Sequence, residues 1–122
     1  MSEKISEAEY AVMEALWERA PMTASDVTDR VSAERGWSIQ TVKTLLSRLL
    51  AKNIVAADQD GRRFLYRPMM ARESYVANES GRLLDRLFGG RITPLVAHLA
   101  RQDQLSPTDI AEIEALLKDL KP

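Results

Sequence analysis

The 122-residue sequence contains no cysteine and a single histidine, His98. The lack of cysteine excludes a disulfide scaffold, a thiol nucleophile and any thiolate-ligated metal site. A single imidazole likewise excludes a metal centre built from several histidines. No apolar run is longer than four residues, so no segment is long enough to span a bilayer and no membrane association is expected.

Targeting and catalytic motifs are also missing. The first residues show no basic segment that leads into an apolar one, so no signal peptide is predicted and a cytoplasmic location is expected. His98 has no acidic residue at a diagnostic catalytic spacing, and Gly89-Gly90 lacks the following Lys-Ser/Thr of a phosphate loop. The sequence therefore predicts neither an enzyme nor a protein that holds a cofactor or a metal ion.

The small net charge of −1 conceals an uneven distribution. Residues 1–34 hold three basic and eight acidic side chains, a balance of −5, whereas residues 35–67 hold seven basic and two acidic ones, a balance of +5. A nucleic-acid footprint needs only one basic face. The middle of the chain is therefore the candidate for contact with nucleic acid.

Three helices are predicted in the first half, because a hydroxyl suited to N-capping precedes each stretch of helical apolar spacing. The second helix is expected to end at Gly36, which suits a left-handed cap. The third is expected to run from Ile39 to about Lys52. The three predicted capping residues are Ser6, Thr23 and Ser38.

The third predicted helix has two unlike halves. One half is apolar and belongs to a core, whereas the other carries hydroxyls, an amide and cations but no carboxylate. Such groups hydrogen-bond phosphates and base edges, although they could also simply form a solvated face. The polar half consists of Gln40, Thr41, Lys43, Thr44, Ser47, Arg48 and Lys52.

Two short strands are predicted next, Ile54–Asp58 and Arg63–Arg67, with Asp60-Gly61 as the turn between them. Arg62 and Arg63 at this turn could contact phosphates or could only be solvated. Three helices followed by a basic hairpin are typical of the winged helix-turn-helix, in which the third helix enters the major groove and the wing lies along the backbone.

The second half is predicted to contain three more helices, Arg72 to Phe88, Ile92 to about Arg101, and one that begins after Ser106. The last helix carries a narrow apolar seam that is either intrachain core or a dimer interface. We favour an interface with a second subunit, because three helices in about 52 residues bury only a small core of their own. The seam consists of Ile110, Ile113, Leu117 and Leu120.

The predicted fold is therefore mostly α, with an N-terminal winged helix-turn-helix that has a small β-hairpin wing, followed by a three-helix C-terminal dimerisation region. The predicted domains are residues 1–70 for DNA binding and residues 71–122 for dimerisation.

At this level of detail the chain resembles the penicillinase-repressor family of winged-helix regulators, the BlaI/MecI/CopY group. The resemblance covers nearly the whole chain and depends on motifs in order and spacing. These motifs are Ile5-Ser6-Glu7-Ala8-Glu9-Tyr10 with Val12-Met13 and Leu16-Trp17, Thr41-Val42-Lys43-Thr44-Leu45-Leu46-Ser47-Arg48-Leu49, the strand that contains Tyr66, Leu87-Phe88-Gly89-Gly90 and Leu95-Val96.

The resemblance implies a homodimeric, cytoplasmic transcriptional repressor that binds a palindromic double-stranded DNA operator. It also implies that Lys43 and Thr44 face the bases, and that Thr41, Ser47 and Arg48 contact the DNA backbone.

Two departures concern the release of DNA. β-Lactam-responsive members are cleaved between an asparagine and a phenylalanine, and the matching positions here hold His98 and Leu99. These two residues are the candidate cleavage position for a regulatory protease, whereas the changed residue types argue against a β-lactam-linked one. Copper-responsive members carry a cysteine cluster that this chain lacks, so the inducing signal stays open.

Two other readings remain open at this point. The basic face could dock an acidic protein instead of DNA, since a fold does not determine a function. A ligand-responsive regulator of another winged-helix family would keep the DNA role and add a small-molecule pocket between the domains.

Overall fold

The computed structural model describes residues 4–121; Met1–Glu3 and Pro122, at the outer ends of the two predicted domains, lie outside the described residues. Six helices and one β-hairpin follow one another within this part of the chain. In chain order they are α1 (Glu7–Glu18), α2 (Ala24–Arg35), α3 (Ile39–Ala51), β1 (Val55–Asp60), β2 (Arg63–Pro68), α4 (Arg72–Phe88), α5 (Ile92–Arg101) and α6 (Pro107–Leu120).

The predicted caps are confirmed. The Ser6 side chain accepts from the Glu9 backbone N–H while the Glu9 carboxylate accepts from the Ser6 N–H, so α1 begins with a reciprocal capping box. α2 and α6 begin in the same way, and Ser38 caps α3. Gly36 ends α2 with a φ of 65°, in the left-handed region that favours glycine.

The chain divides into two compact units, Met1–Tyr75 and Val76–Pro122, and the division falls inside α4. The sequence predicted it between residues 70 and 71. Tyr75 belongs to the first unit because its ring packs against Tyr10 and Trp17 of α1, with ring centroids 5.5 and 5.6 Å away. The Trp17 indole N–H also donates to the Met70 carbonyl at 2.9 Å.

The core of the first unit lies between α1, α2 and α3. The apolar half of α3 is buried as its spacing predicts, and it packs against buried side chains of the other two helices. The fully buried apolar side chains at the centre are Val12, Met13, Leu16, Val27, Val42, Leu46 and Leu49.

The hairpin joins this core through both strands, with Val55 of β1 buried in it and β2 hydrogen-bonded to the connection between α1 and α2. β1 and β2 pair antiparallel, and Asp60 lies opposite Arg63, so the loop is Gly61 and Arg62. Met22, in the connection between α1 and α2, exchanges two backbone hydrogen bonds with Tyr66 of β2, at 2.8 and 3.1 Å. The wing is therefore hydrogen-bonded to the chain at the start of the helix-turn-helix.

The second unit leaves much of its apolar surface uncovered. Of residues 92–101 and 107–120, all of which the structure describes, none is buried. Leu116 and Leu120 are 63% and 80% exposed, and Ile92 and Leu87 are also exposed. No helix within residues 4–121 is long and apolar enough to cross a membrane.

Candidate nucleic-acid interface

The polar half of α3 is presented to solvent by the packing of its apolar half. Burial of Val42, Leu46 and Leu49 determines which face of the helix lies against the core, because side chains three and four residues apart share one face. The opposite face is then exposed along its whole length. The predicted contact residues Thr41, Lys43, Thr44, Ser47 and Arg48 are all exposed.

Two hydroxyls on this face are oriented by the helix itself. The Thr44 hydroxyl donates to the Gln40 carbonyl at 3.0 Å, and the Thr41 hydroxyl lies 3.3 Å from that of Ser38. The lone pairs of the Thr44 oxygen remain available as acceptors. Within residues 4–121, Lys43 and Arg48 have no ion pair, so both cations can accept an outside anion.

The wing cations are less available than the sequence suggests. Arg63 donates to the Asp60 carboxylate from Nε and Nη2, at 3.1 and 2.9 Å, and Arg67 donates to Asp58 at 2.9 Å. Arg62 at the tip has no ion pair within the described part of the chain. Arg62 is therefore the wing cation that is free for a phosphate.

A cleft of about 240 Å³ separates the wing from the helix-turn-helix. Lys43 lines it from α3, Arg62 and Arg63 line it from the wing, and Thr23 and Ser25 line it from the start of α2. Three cations from two separate elements therefore face one concave surface. Such a surface concentrates positive potential and suits a phosphate backbone.

The start of α2 adds hydroxyls but also an acid. Hydrogen bonds from the Thr23 backbone and side chain, followed by the charges of Arg19 and Arg63, lower the pKa of Asp26 below its usual value. Asp26 is therefore ionised at neutral pH and partly offsets the positive end of the α2 dipole. The cations of α3 and the wing, not the α2 terminus, supply the attraction for an anion.

The candidate cleavage position lies inside α5. His98 is exposed and Leu99 is half-buried, and both have helical backbone. A protease that cuts between them would need this turn of α5 to unwind locally. No group of three acidic, histidine or cysteine side chains in residues 4–121 is arranged to hold a metal ion.

Comparison with known proteins identifies the family of this chain. The sequence model of the penicillinase repressor family matches residues 5–119. The chain belongs to the penicillinase repressor family. The family consists of DNA-binding transcriptional repressors, not enzymes, and the winged-helix fold predicted from the sequence is confirmed.

Individual members of the penicillinase repressor family align over almost the whole chain. The penicillinase repressor of Bacillus licheniformis is 30% identical over 118 residues, which cover 97% of this chain and 92% of the relative. The solution structure of the DNA-binding domain of the repressor BlaI matches 62% of this chain and 92% of that domain, with 31% identity and a TM-score of 0.56.

A second solved structure is of the Bacillus licheniformis BlaI monomeric form in complex with the blaP half-operator. It matches 62% of this chain and 92% of its own chain, with 31% identity and a TM-score of 0.53.

Sequence reasoning missed two features of the interface. Lys52 was grouped with the polar half of α3, but its ammonium lies against Glu9 of α1. Phe64, beside the wing arginines, is 48% exposed and lines the same cleft. An aromatic in a predicted strand signals core packing, so no pattern in the sequence marked it as exposed.

Proposed function

We propose that the chain is a transcriptional repressor that binds a palindromic operator as a homodimer and is released by a signal not yet identified. One α3 per subunit enters a major groove, and the wing follows the adjacent backbone. The observation that carries this proposal is the acid-free exposed face of α3 beside the cationic cleft, in a member of a repressor family.

Base reading is assigned to Lys43 and Thr44. Both project from the exposed face of the first turns of α3, and Lys43 also lines the cleft. Lysine donates to guanine acceptors, and threonine offers a hydroxyl and a methyl group to base edges. Thr41, Ser47, Arg48, Arg62 and Arg63 are assigned to the phosphate backbone, with Arg63 sharing its charge with Asp60.

A second copy of the chain is the proposed cover for the apolar side chains of α5 and α6. Exposed leucines and isoleucines recur along α6, and a large exposed apolar patch is uncommon on a monomeric protein. A two-fold dimer buries such a patch against itself, and its symmetry requires two similar half-sites in the DNA. The complex of monomeric BlaI with a half-operator is consistent with reading one half-site per subunit.

The release of DNA is proposed to result from cleavage in the second unit. Cleavage between His98 and Leu99 would interrupt α5 and with it the dimer surface, leaving subunits that bind single half-sites weakly. The responsible protease would act in the cytoplasm, where the proposed operator is located.

The test is fluorescence anisotropy of the protein with DNA from its own promoter region and with a scrambled duplex, over a range of salt concentrations. Tight and salt-sensitive binding to the promoter alone, at two subunits per site, is expected. Equal weak binding to both duplexes would refute the operator and favour an acidic protein partner for the basic face.

A further inference from the structure

Lys52 caps the C-terminal end of α3 and turns away from the DNA-facing half. Its Nζ donates to the Glu9 Oε1 atom at 2.7 Å and to the Lys4 carbonyl at 2.9 Å. Its backbone N–H donates to the carbonyl of Arg48, one turn earlier. The ammonium thus links the end of α3 to the first turn of α1, 43 residues earlier in the chain.

Glu9 is the one buried charged residue in the described part of the chain, with 1% of its surface exposed. Oε1 accepts from Lys52 and from the Ser6 backbone N–H at 2.8 Å, whereas the buried Oε2 has no hydrogen-bond partner within residues 4–121. A buried carboxylate with one unsatisfied oxygen is costly. An apolar pair of similar volume often gives equal or greater stability, so stability does not account for this ion pair.

The need to orient α3 does account for the ion pair between Glu9 and Lys52. The buried leucines of α3 hold the helix against the core through contacts that have no preferred direction. A hydrogen bond between charged groups requires a short distance and an angle near linear, so it selects one rotation and one axial position. Fixing register is the best-attested use of buried polar and ionic groups.

We infer that Glu9 and Lys52 form a positioning pair that sets the orientation of the reading helix, and that Lys52 makes no contact with DNA. This inference rests on the proposed function, since orientation matters only if α3 reads bases. Base contacts depend on fixed directions, whereas phosphate attraction tolerates small rotations. Loss of the pair therefore reduces discrimination between sequences more than it reduces general affinity for DNA.

The test compares Glu9→Gln with Glu7→Gln. Both variants remove one negative charge from the first turn of α1, but Glu7 is exposed and Glu9 is buried. Glutamine at residue 9 keeps the volume and can keep the capping hydrogen bond with Ser6. The dissociation constants for operator and scrambled duplex are measured for each, with circular dichroism as a check on folding.

E9Q is expected to weaken operator binding roughly tenfold, which equals about 1.4 kcal/mol, while binding to the scrambled duplex stays as in the wild type. E7Q leaves the ratio of the two affinities unchanged. Lys52→Met should lower the ratio as E9Q does, and Lys52→Arg should restore it, because the guanidinium can still donate to Glu9 and to a backbone carbonyl. An unchanged ratio in a folded E9Q variant overturns the inference.

Salt dependence separates positioning from direct contact. A Lys52 that touched a phosphate would contribute about one unit to the slope of log affinity against log salt, and K52M would remove it. E9Q would then free the cation and raise binding to every duplex. If the pair only positions α3, the salt slopes of both K52M and E9Q stay at the wild-type value. The inference is also overturned if K52M has a smaller salt slope than the wild type and E9Q binds both duplexes more tightly than the wild type does.

A readout without DNA keeps the inference separate from the proposed function. Amide chemical shifts of the free protein should change along α3 from Leu45 to Lys52 in E9Q and stay as in the wild type in E7Q. Equal wild-type binding to both duplexes would refute the operator, yet these shifts would still decide whether the pair orients α3. Unchanged α3 shifts in E9Q contradict the positioning role whether or not the protein binds DNA.

Discussion

The two compact units differ in how their apolar side chains are covered. In the N-terminal unit, α1, α2 and α3 bury most of one another's apolar faces, and Val12, Leu46 and Leu49 have no exposed surface. In the C-terminal unit, the leucines of α6 are more than half exposed. The first unit therefore encloses a core of its own, whereas the apolar side chains of the second are left largely uncovered within the described residues.

The difference indicates which unit would form the interface of the proposed dimer. Apolar burial is the dominant favourable contribution to folding, so the closed unit draws its stability from within one chain. In the proposed dimer, the open unit would gain further burial by association with a second copy. Mutations in the two units should therefore change different measurements, and the following predictions use that contrast.

The largest expected effect is on the closed core. Leu46→Ala should lower the free energy of unfolding of the N-terminal unit by about 2–5 kcal/mol, because it leaves a cavity in a fully packed core. Urea unfolding followed by circular dichroism measures it. Leu120→Ala, studied at a concentration at which the chain is monomeric, should cost less than about 0.5 kcal/mol. Similar losses in both variants would contradict the contrast between the units.

The next effect is on association. Leu117→Asp should raise the dimer dissociation constant by more than about 100-fold, because two-fold symmetry removes the side chain twice and each burial contributes about 1.5–3 kcal/mol. Sedimentation velocity measures the shift from dimer to monomer. Glu112→Gln, on the same helix, serves as the control and should leave the dimer intact. A variant L117D that stays dimeric would show that the α6 seam is not the interface.

Within the closed unit, Lys43→Ala should cost about 1–3 kcal/mol of operator binding and relax the sequence preference. Lys118→Ala removes the same charge from α6 and should change operator affinity little. Anisotropy with operator and scrambled duplexes distinguishes the two results. Equal losses on both duplexes would reassign Lys43 from the bases to the backbone.

The two arginines of the wing tip should differ from each other. Arg62→Ala should reduce the salt slope by about one unit, because Arg62 has no ion pair within residues 4–121. Arg63→Ala should reduce it less, because the Asp60 carboxylate already offsets part of that charge. A larger change for Arg63 than for Arg62 would mean that DNA displaces the ion pair with Asp60.

The smallest expected effect is on the loss of stability at acidic pH. Burial alone would raise the pKa of Glu9, but hydrogen bonds from Lys52 and Ser6 and the charge of Lys52 hold it below its usual value. Its stabilising contribution is therefore fully present above the unfolded-state pKa of about 4.3 and is lost as pH falls through the lower folded-state pKa. Unfolding between pH 6 and pH 3, as rough limits, should show a shallower acid decline in E9Q than in E7Q.

Local chemistry made much of the fold predictable. Capping boxes begin α1, α2 and α6, and glycines with positive φ follow α2 and α4. These contacts join residues no more than six apart, so the sequence predicted these helix ends correctly. The hairpin was placed less well. Asp60 was assigned to the turn, but it belongs to β1 because it pairs with Arg63, and Pro68 still pairs with Val55 at the end of β2.

The candidate interface was predictable in part for the same reason. Helical spacing alone separates Thr41, Lys43, Thr44, Ser47 and Arg48 from the core, and all of them are exposed. The link between Lys52 and Glu9 joins residues far apart in the chain, and the pairing of Arg67 with Asp58 depends on strand register. Neither contact leaves a periodic signal in a single sequence, so both needed the three-dimensional structure.

The ion pairs on the wing have a consequence for how a repressor of this kind would find its site in a genome. Asp58 and Asp60 neutralise part of the cationic hairpin, and attraction to arbitrary DNA grows steeply with every additional phosphate contact. Random sequence vastly outnumbers operators, so a fully charged wing would hold much of the repressor on the wrong DNA. If the chain binds an operator as proposed, the two carboxylates would reduce the time that it spends on non-specific DNA and leave more molecules free for that operator.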